Sequence, residues 1–291
     1  MTKTPRSKKK SSTAKKPMMM GERKLGRVLI TGASAGIGAE LAREFASHGH
    51  ALVLVARSKD KLTALAAELN AAHDTETLVI VEDLSRPGCA NAIAGELDER
   101  GIEIDILVNN AGVIDVGPFA DAPTETYDNM VALNVAAPTA LTSLLLPPMI
   151  ERKFGRILNV ASLAGFQPIP SMAVYAATKA YLLSLTESIS EELRGTGVTV
   201  TALCPGMTDT NMVADIKAKS ETAQWTPSLL ISNPKSVAKQ AYKATMSGRT
   251  ILVPGLPNQL AAAWAQVNPR WVVRTVTGFA TRRADWMKAK Q

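Results

Sequence analysis

From Gly26 onward, short β-branched or apolar runs alternate with longer stretches rich in Ala, Leu and Glu. The runs are RVLIT, ALVLVA, TLVIV, IDILVNN, GRILNVAS, GVTVTALC and RTILVP. The stretches between them, about 37–48, 59–72, 87–100, 124–151, 174–194 and 234–247, have helical length and composition. Continuous apolar runs suit strands buried on both faces. Seven such strands separated by helices predict an α/β fold, a doubly wound parallel sheet with helices on both sides. Residues 25–256 show no internal repeat or linker and read as one domain. One segment breaks the rhythm: 207–233, after the sixth strand, carries no strand of its own. It would lie above the carboxyl ends of the strands, where a mobile lid over a ligand is expected.

Composition narrows the setting. The 291 residues are 46% hydrophobic and hold two cysteines, Cys89 and Cys204, in no paired motif. No disulfide framework or metal site is expected, and a cytoplasmic setting fits. No uninterrupted apolar run reaches the ~20 residues needed to span a bilayer. The formal charge of +7 belongs to one end: residues 1–27 hold ten Lys/Arg against Glu22 alone. The rest of the chain is nearly neutral. Residues 1–24 lack apolar periodicity and read as a disordered basic tail, without the apolar segment of a secretory signal. Met18, Met19 and Met20 offer alternative starts. A nucleic-acid role would have to work through this tail, and the neutral body argues against it.

The first strand runs directly into Gly32-Ala33-Ser34-Ala35-Gly36-Ile37-Gly38 and then into a helix. Strand, glycine turn and helix, in that order, make a dinucleotide cradle of the Rossmann-like type: glycines allow close approach, and the helix N-terminus offers free N–H groups to a pyrophosphate. The second strand ends Val55-Ala56-Arg57-Ser58-Lys59, with no acid until Asp60. An acid there would hold a ribose 2′-hydroxyl, whereas Arg57 suits a 2′-phosphate. NADP(H) is therefore expected in preference to NAD(H).

Further along, Ser162 is followed by Tyr175 and Lys179. Tyr175 and Lys179, at i and i+4, share one helix face about 5–6 Å apart at Cβ. An ammonium so placed is expected to pull the phenol down from its ordinary pKa of ~10. With a hydroxyl from a separate loop, this is acid–base machinery for a carbonyl or alcohol.

Together these residues resemble the short-chain dehydrogenase/reductase family, over about Gly26 to Pro254. The family's glycine motif is matched by Thr31, Gly32, Ser34, Gly36, Ile37 and Gly38, and its adenine-contacting acid by Asp83, followed by Leu84. Its Asn-Asn-Ala-Gly motif is matched by Asn109, Asn110, Ala111 and Gly112. Pro205, Gly206 and Thr208 follow the sixth strand, with Thr208 where the family binds the carboxamide. Asn134, Ser162, Tyr175 and Lys179 match the catalytic set. The resemblance implies that Tyr175 is the acid/base and that Lys179 lowers its pKa and binds ribose. It further implies that Ser162 orients the carbonyl and that Asn134 holds a proton-relay water.

Ile114, Leu163, Phe166, Met207 and Met212, with Val113, Ile169 and Met172, suggest an apolar pocket for a lipophilic or acyl (3-oxoacyl-like) carbonyl. A homodimer or homotetramer is expected. Residues 257–291 carry Trp264, Trp271, Phe279 and Trp286 among arginines, with Pro269 and Gly278 expected to interrupt any single helix. Two readings of this extension stay open: an interfacial element on anionic lipid, or an aromatic face packed on its own domain or a partner subunit. A non-catalytic NADP(H) sensor is the alternative function, disfavoured because a sensor needs no phenol.

Overall fold

A computed structural model describes residues 26–210, 213 and 231–288, without the side chains of 280–288. The basic tail and most of the 207–233 excursion lie outside the described residues. Seven strands form: β1 (Val28–Thr31), β2 (Leu52–Ala56), β3 (Thr77–Val81), β4 (Ile106–Asn109), β5 (Gly155–Val160), β6 (Val198–Leu203) and β7 (Ile251–Leu252). They make one sheet in the order β3-β2-β1-β4-β5-β6-β7, every neighbouring pair parallel. The order reverses between β1 and β4, which opens a crevice at their carboxyl ends.

The helices are α1 (Gly36–Ser47), α2 (Lys59–His73), α3 (Cys89–Glu99), α4 (Thr124–Val131), α5 (Ala137–Glu151), α6 (Ala173–Glu192), α7 (Pro234–Ser247), α8 (Leu256–Val267) and α9 (Arg270–Lys288). Residues within a strand divide by parity between two cores. Val28, Ile30, Leu52 and Leu54 pack with Leu41 and Phe45 of α1 and with Val237 and Ala241 of α7. Leu29, Val53 and Val55 face the other side, with Ile93 and Leu97 of α3 and Leu141 and Met149 of α5. Each fully buried large apolar side chain contributes about 1.5–3 kcal/mol. Hence the strands read as unbroken apolar runs rather than alternating ones.

Two sequence expectations change. The helix expected over 124–151 is divided by a π turn, Ala132–Ala136, centred on Asn134. Thr124–Glu151 as a whole has the length and composition of a membrane span, but Leu141 and Met149 bind it to the sheet. At the C-terminus Pro269 does separate two helices, as its missing N–H requires, whereas Gly278 lies inside α9 without interrupting it. The ends of the excursion are tied together: Thr208 bridges Ser232, and Ser232 N donates to Met207 O at 2.8 Å.

Candidate active site

The cleft begins where β1 turns into α1. Gly32 sits at φ +64°, and a Cβ there would fall 2.8 Å from Ala111 Cα, so only glycine lets the two loops meet. No side chain caps α1, which leaves its first N–H groups open to an anion. The loop after β4 is fixed from behind. Asn110 Nδ2 donates to Thr31 O at 2.9 Å, and Thr31 Oγ1 accepts from the N–H groups of Asn110 and Ala111 at 2.9 and 3.1 Å.

A single cleft of about 650 Å³ runs from this turn in both directions. At one end lie Arg57, Ser58, Lys61, Asp83 and Leu84, and at the other Ser162, Tyr175 and Lys179. Ser34, Gly36, Ile37, Ala111, Gly112, Pro205, Gly206 and Thr208 line the floor between them. The Asp83 carboxyl is held below its ordinary pKa, chiefly by hydrogen bonds that it accepts from the side chain and backbone N–H of Ser85 at 2.7 and 3.0 Å.

Ser162 ends the extended segment after β5, and its Oγ accepts from Ala164 N at 3.1 Å, starting the 3₁₀ turn Leu163–Phe166. That turn presses onto α6: a Cβ on Gly165 would lie 2.8 Å from Lys179 O. The close contact sets the loop bearing Ser162 against the helix bearing Tyr175 and Lys179. Lys179 is buried, its Nζ donates to Val160 O at 2.8 Å, and burial brings its ammonium down to about 8. Cys204 beneath it is a thiol pushed up to about 12 by burial.

The expected lowering of the Tyr175 pKa is not found. Burial raises the phenol above its ordinary value and outweighs the opposing hydrogen bond with Ser162. The Lys179 ammonium is turned to the Val160 carbonyl, 5.7 Å from the Tyr175 ring centre. Sharing a helix face at Cβ did not by itself lower the phenol's pKa, because burial dominates its environment.

Asn134 does not line the cleft. It is buried in the π turn, accepts from Val113 N at 3.0 Å, and donates to Val113 O at 2.9 Å and Thr178 Oγ1 at 3.2 Å. Thr31 and Gly38 also serve from behind, since Thr31 is buried and a Cβ on Gly38 would fall 2.4 Å from Gly32 O. Phe166 is a correction: it does not line the cleft, and it packs against the cluster that holds Ala161, Leu183 and Ala202. Met212 lies outside the described residues. Ile114, Leu163 and Met207 do line the apolar end, with Val113, Ile169, Met172 and Val213. Sequence reasoning missed Lys61, Ser58, Gln167 and Thr210; Lys61, in the first turn of α2, follows closely enough on Arg57 in sequence to have been found as a second cation.

The fold, the glycine cradle and the cleft define a dinucleotide-binding oxidoreductase. The short chain dehydrogenase family matches residues 26–221, and the chain belongs to that family. It is an NAD(P)-dependent oxidoreductase acting on CH–OH groups or the corresponding ketones. It is similar to the ketoacyl reductase HetN of a Nostoc species, at 35% identity over 89% of this chain and 92% of the relative. Human very-long-chain 3-oxoacyl-CoA reductase is 34% identical over 74% of this chain and 67% of its own length. Among solved structures, a Sphingobium yanoikuyae short-chain dehydrogenase in complex with NADPH matches with a TM-score of 0.75. Its identity is 34%, covering 84% of this chain and 92% of that one.

Proposed function

We infer that the protein is an NADPH-dependent ketoreductase for a lipophilic or acyl ketone of the 3-oxoacyl kind. One observation carries the reading: a single cleft joins the cations Arg57 and Lys61 to the Ser162–Tyr175–Lys179 cluster. A dinucleotide on the glycine turn and a ketone beside Tyr175 would share that space. The uncapped helix N-terminus fits a pyrophosphate, and the two cations fit a 2′-phosphate. The relatives named for ketoacyl and 3-oxoacyl-CoA reduction, and the NADPH-bound neighbour, support both choices.

A bound NADPH would supply the hydride that reduces the carbonyl carbon. The chain's own residues handle the oxygen. Tyr175, kept protonated at neutral pH by its raised pKa, donates the proton that the new alkoxide requires. Ser162 donates a hydrogen bond to the same oxygen. Preplaced donors of this kind are each worth ~2.7–4 kcal/mol at the transition state. Lys179 would hold the ribose hydroxyls, and Thr208 the carboxamide, of a bound NADPH. Asn134 Oδ1 retains one lone pair beyond its bond from Val113. A Cβ on Gly112 would fall 3.2 Å from that oxygen and 3.4 Å from Lys179 Nζ. Glycine thus leaves room between them for a water that returns a proton towards Tyr175. The apolar wall of Ile114, Leu163, Met172, Met207 and Val213 suits an acyl chain better than a sugar.

The test is NADPH oxidation with 3-oxoacyl thioesters, steroid ketones, aromatic ketones and sugars, in wild type and Tyr175→Phe. Acyl substrates are expected to give the highest kcat/KM. The variant should bind NADPH yet lose about 10²–10⁴-fold in turnover, the range of general acid–base catalysis. Wild-type turnover in Tyr175→Phe removes the mechanism, and NADPH binding without turnover on any ketone favours the sensor.

A further inference from the structure

The cleft leaves unexplained the face that α8 and α9 turn outward. In α8, Leu256, Leu260, Trp264 and Val267 fall within about an 80° sector at ~100° per residue. All four are exposed, Val267 at 79% and Leu256 at 67%, while Ala262 and Ala265 on the opposite side are buried. In α9, Trp271, Val276 and Phe279 are exposed and Val273 is buried. Trp271 and Phe279 are therefore left largely outside the domain's own packing, and Trp264 presents part of its ring outward. The apolar stripe of α8, with the exposed apolar residues of α9, marks an interaction surface.

Charge selects the partner. Neither helix contains an acid before Asp285, whereas Arg270 and Arg274 are exposed on one flank of the α9 apolar sector, and the sequence adds Arg282 and Arg283. A symmetric pairing of this face with a second copy would set those arginines against their own copies, with no carboxylate on either helix before Asp285 to neutralise them. Aromatic side chains interleaved with arginine suit the headgroup region of an anionic bilayer.

Position adds a second argument. The chain leaves β7 at the carboxyl edge of the sheet and enters α8 within four residues. Asn258 Nδ2 donates to Pro254 O at 2.7 Å, and its amide lies against Gly206, where a Cβ would approach Oδ1 to 2.6 Å. α8 also packs on the turn Leu163–Phe166, whose Leu163 forms part of the apolar cleft wall. The stripe is thus anchored to the loops that border the apolar end of the cleft.

We propose that the outward face of α8 and α9 is a docking surface for anionic membranes, with Leu260, Trp264, Trp271 and Phe279 entering the interface and Arg270 and Arg274 meeting lipid phosphates. This does not rest on the choice of substrate. The test is co-sedimentation of the full chain with vesicles of phosphatidylcholine, with and without one third phosphatidylglycerol. Binding should require the anionic lipid and weaken with salt. Trp264→Ser/Trp271→Ser should reduce partitioning at least tenfold. Arg270→Gln/Arg274→Gln should reduce it on the order of 30-fold, at about fivefold per arginine. NADPH binding should stay at the wild-type value in both variants, because none of these side chains lines the cleft, and Tm should stay unchanged in the arginine variant. Binding that disappears when residues 1–20 are removed but ignores the tryptophan substitutions would assign the effect to the basic tail and overturn the proposal. So would absence of vesicle binding, or loss of an oligomer in the tryptophan variant with vesicle binding unchanged.

Discussion

The side-chain amide of Asn134 clamps the main chain of Val113 from both sides, accepting from its N–H at 3.0 Å and donating to its carbonyl at 2.9 Å. The π turn that carries Asn134 thereby fixes the loop that follows Gly112, one wall of the cleft. Replacing Asn134 with Ala leaves both Val113 groups without this partner, at a cost of about 1–3 kcal/mol. Denaturant unfolding should show a lower midpoint, and kcat should fall together with it. A variant with wild-type stability and kcat would remove the clamp from consideration.

On the proposed mechanism, Lys179 should set an upper pH limit on reduction. Its ammonium titrates at about 8 because burial disfavours the charge, so above that pH the cation beside the ribose site is lost. The kcat/KM for ketone reduction should fall as pH rises through about 8. In Lys179→Arg the charge persists, and the limb near pH 8 should disappear from the pH–rate profile even if activity is lower. An unchanged limb in that variant would assign the titration to another group.

In the proposed reading, Arg57 and Lys61, which line one end of the cleft, form a specificity pair for the 2′-phosphate. Each charged hydrogen bond to a phosphate is worth about 1.5–3 kcal/mol. Arg57→Ala should therefore lower the NADPH-to-NADH ratio of kcat/KM by roughly tenfold to a hundredfold, and Lys61→Ala should act in the same direction. NADH kinetics should change little, since no carboxylate is introduced. A ratio indifferent to both substitutions defeats the assignment.

Gly165 tests the contact that sets Ser162 against α6. Its missing Cβ would meet the Lys179 carbonyl carbon at 3.0 Å as well as its oxygen. Gly165→Ala must push the 3₁₀ turn away from the helix. The expected result is a large fall in kcat with NADPH affinity nearly retained, measured by steady-state kinetics and fluorescence titration. Equal losses in both would indicate a general collapse instead.

His50 gives stability its acid limb. It is buried, Nδ1 donates to Gly26 O at 2.8 Å, and Nε2 lies 3.5 Å from Tyr242 OH, an arrangement that suits the neutral ring. Burial lowers its folded-state pKa below 6.5. Above that pH both folded and unfolded chains hold it neutral. As pH falls through ~6.5 the unfolded chain binds the proton first, so stability declines until the folded pKa is reached. Tm should drop as pH falls from about 7 through ~6.5, and His50→Gln should flatten that slope.

The strand runs, the glycine turn and the spacing of Ser162, Tyr175 and Lys179 were legible because each depends on local periodicity or on residue types with few alternatives. Phe166 was misplaced for a physical reason. Apolar character does not say which side of a short 3₁₀ turn meets the core, and here Phe166 joined Leu183 and Ala202. The pKa of Tyr175 was misjudged similarly: i, i+4 spacing fixes Cβ proximity, not where a four-carbon ammonium arm points or how deeply the phenol is enclosed.

By itself, then, the sequence determined a parallel α/β sheet, a dinucleotide cradle at its first turn, and the hydroxyl, phenol and ammonium that belong to the family's chemistry. These follow from patterns within a few residues of each other. The tertiary structure alone decided that Asn134 clamps Val113, that Lys179 turns to Val160, and that Trp264, Trp271 and Phe279 are left exposed. Each of these depends on which elements approach one another across long separations, and on how much water that approach leaves beside a charge.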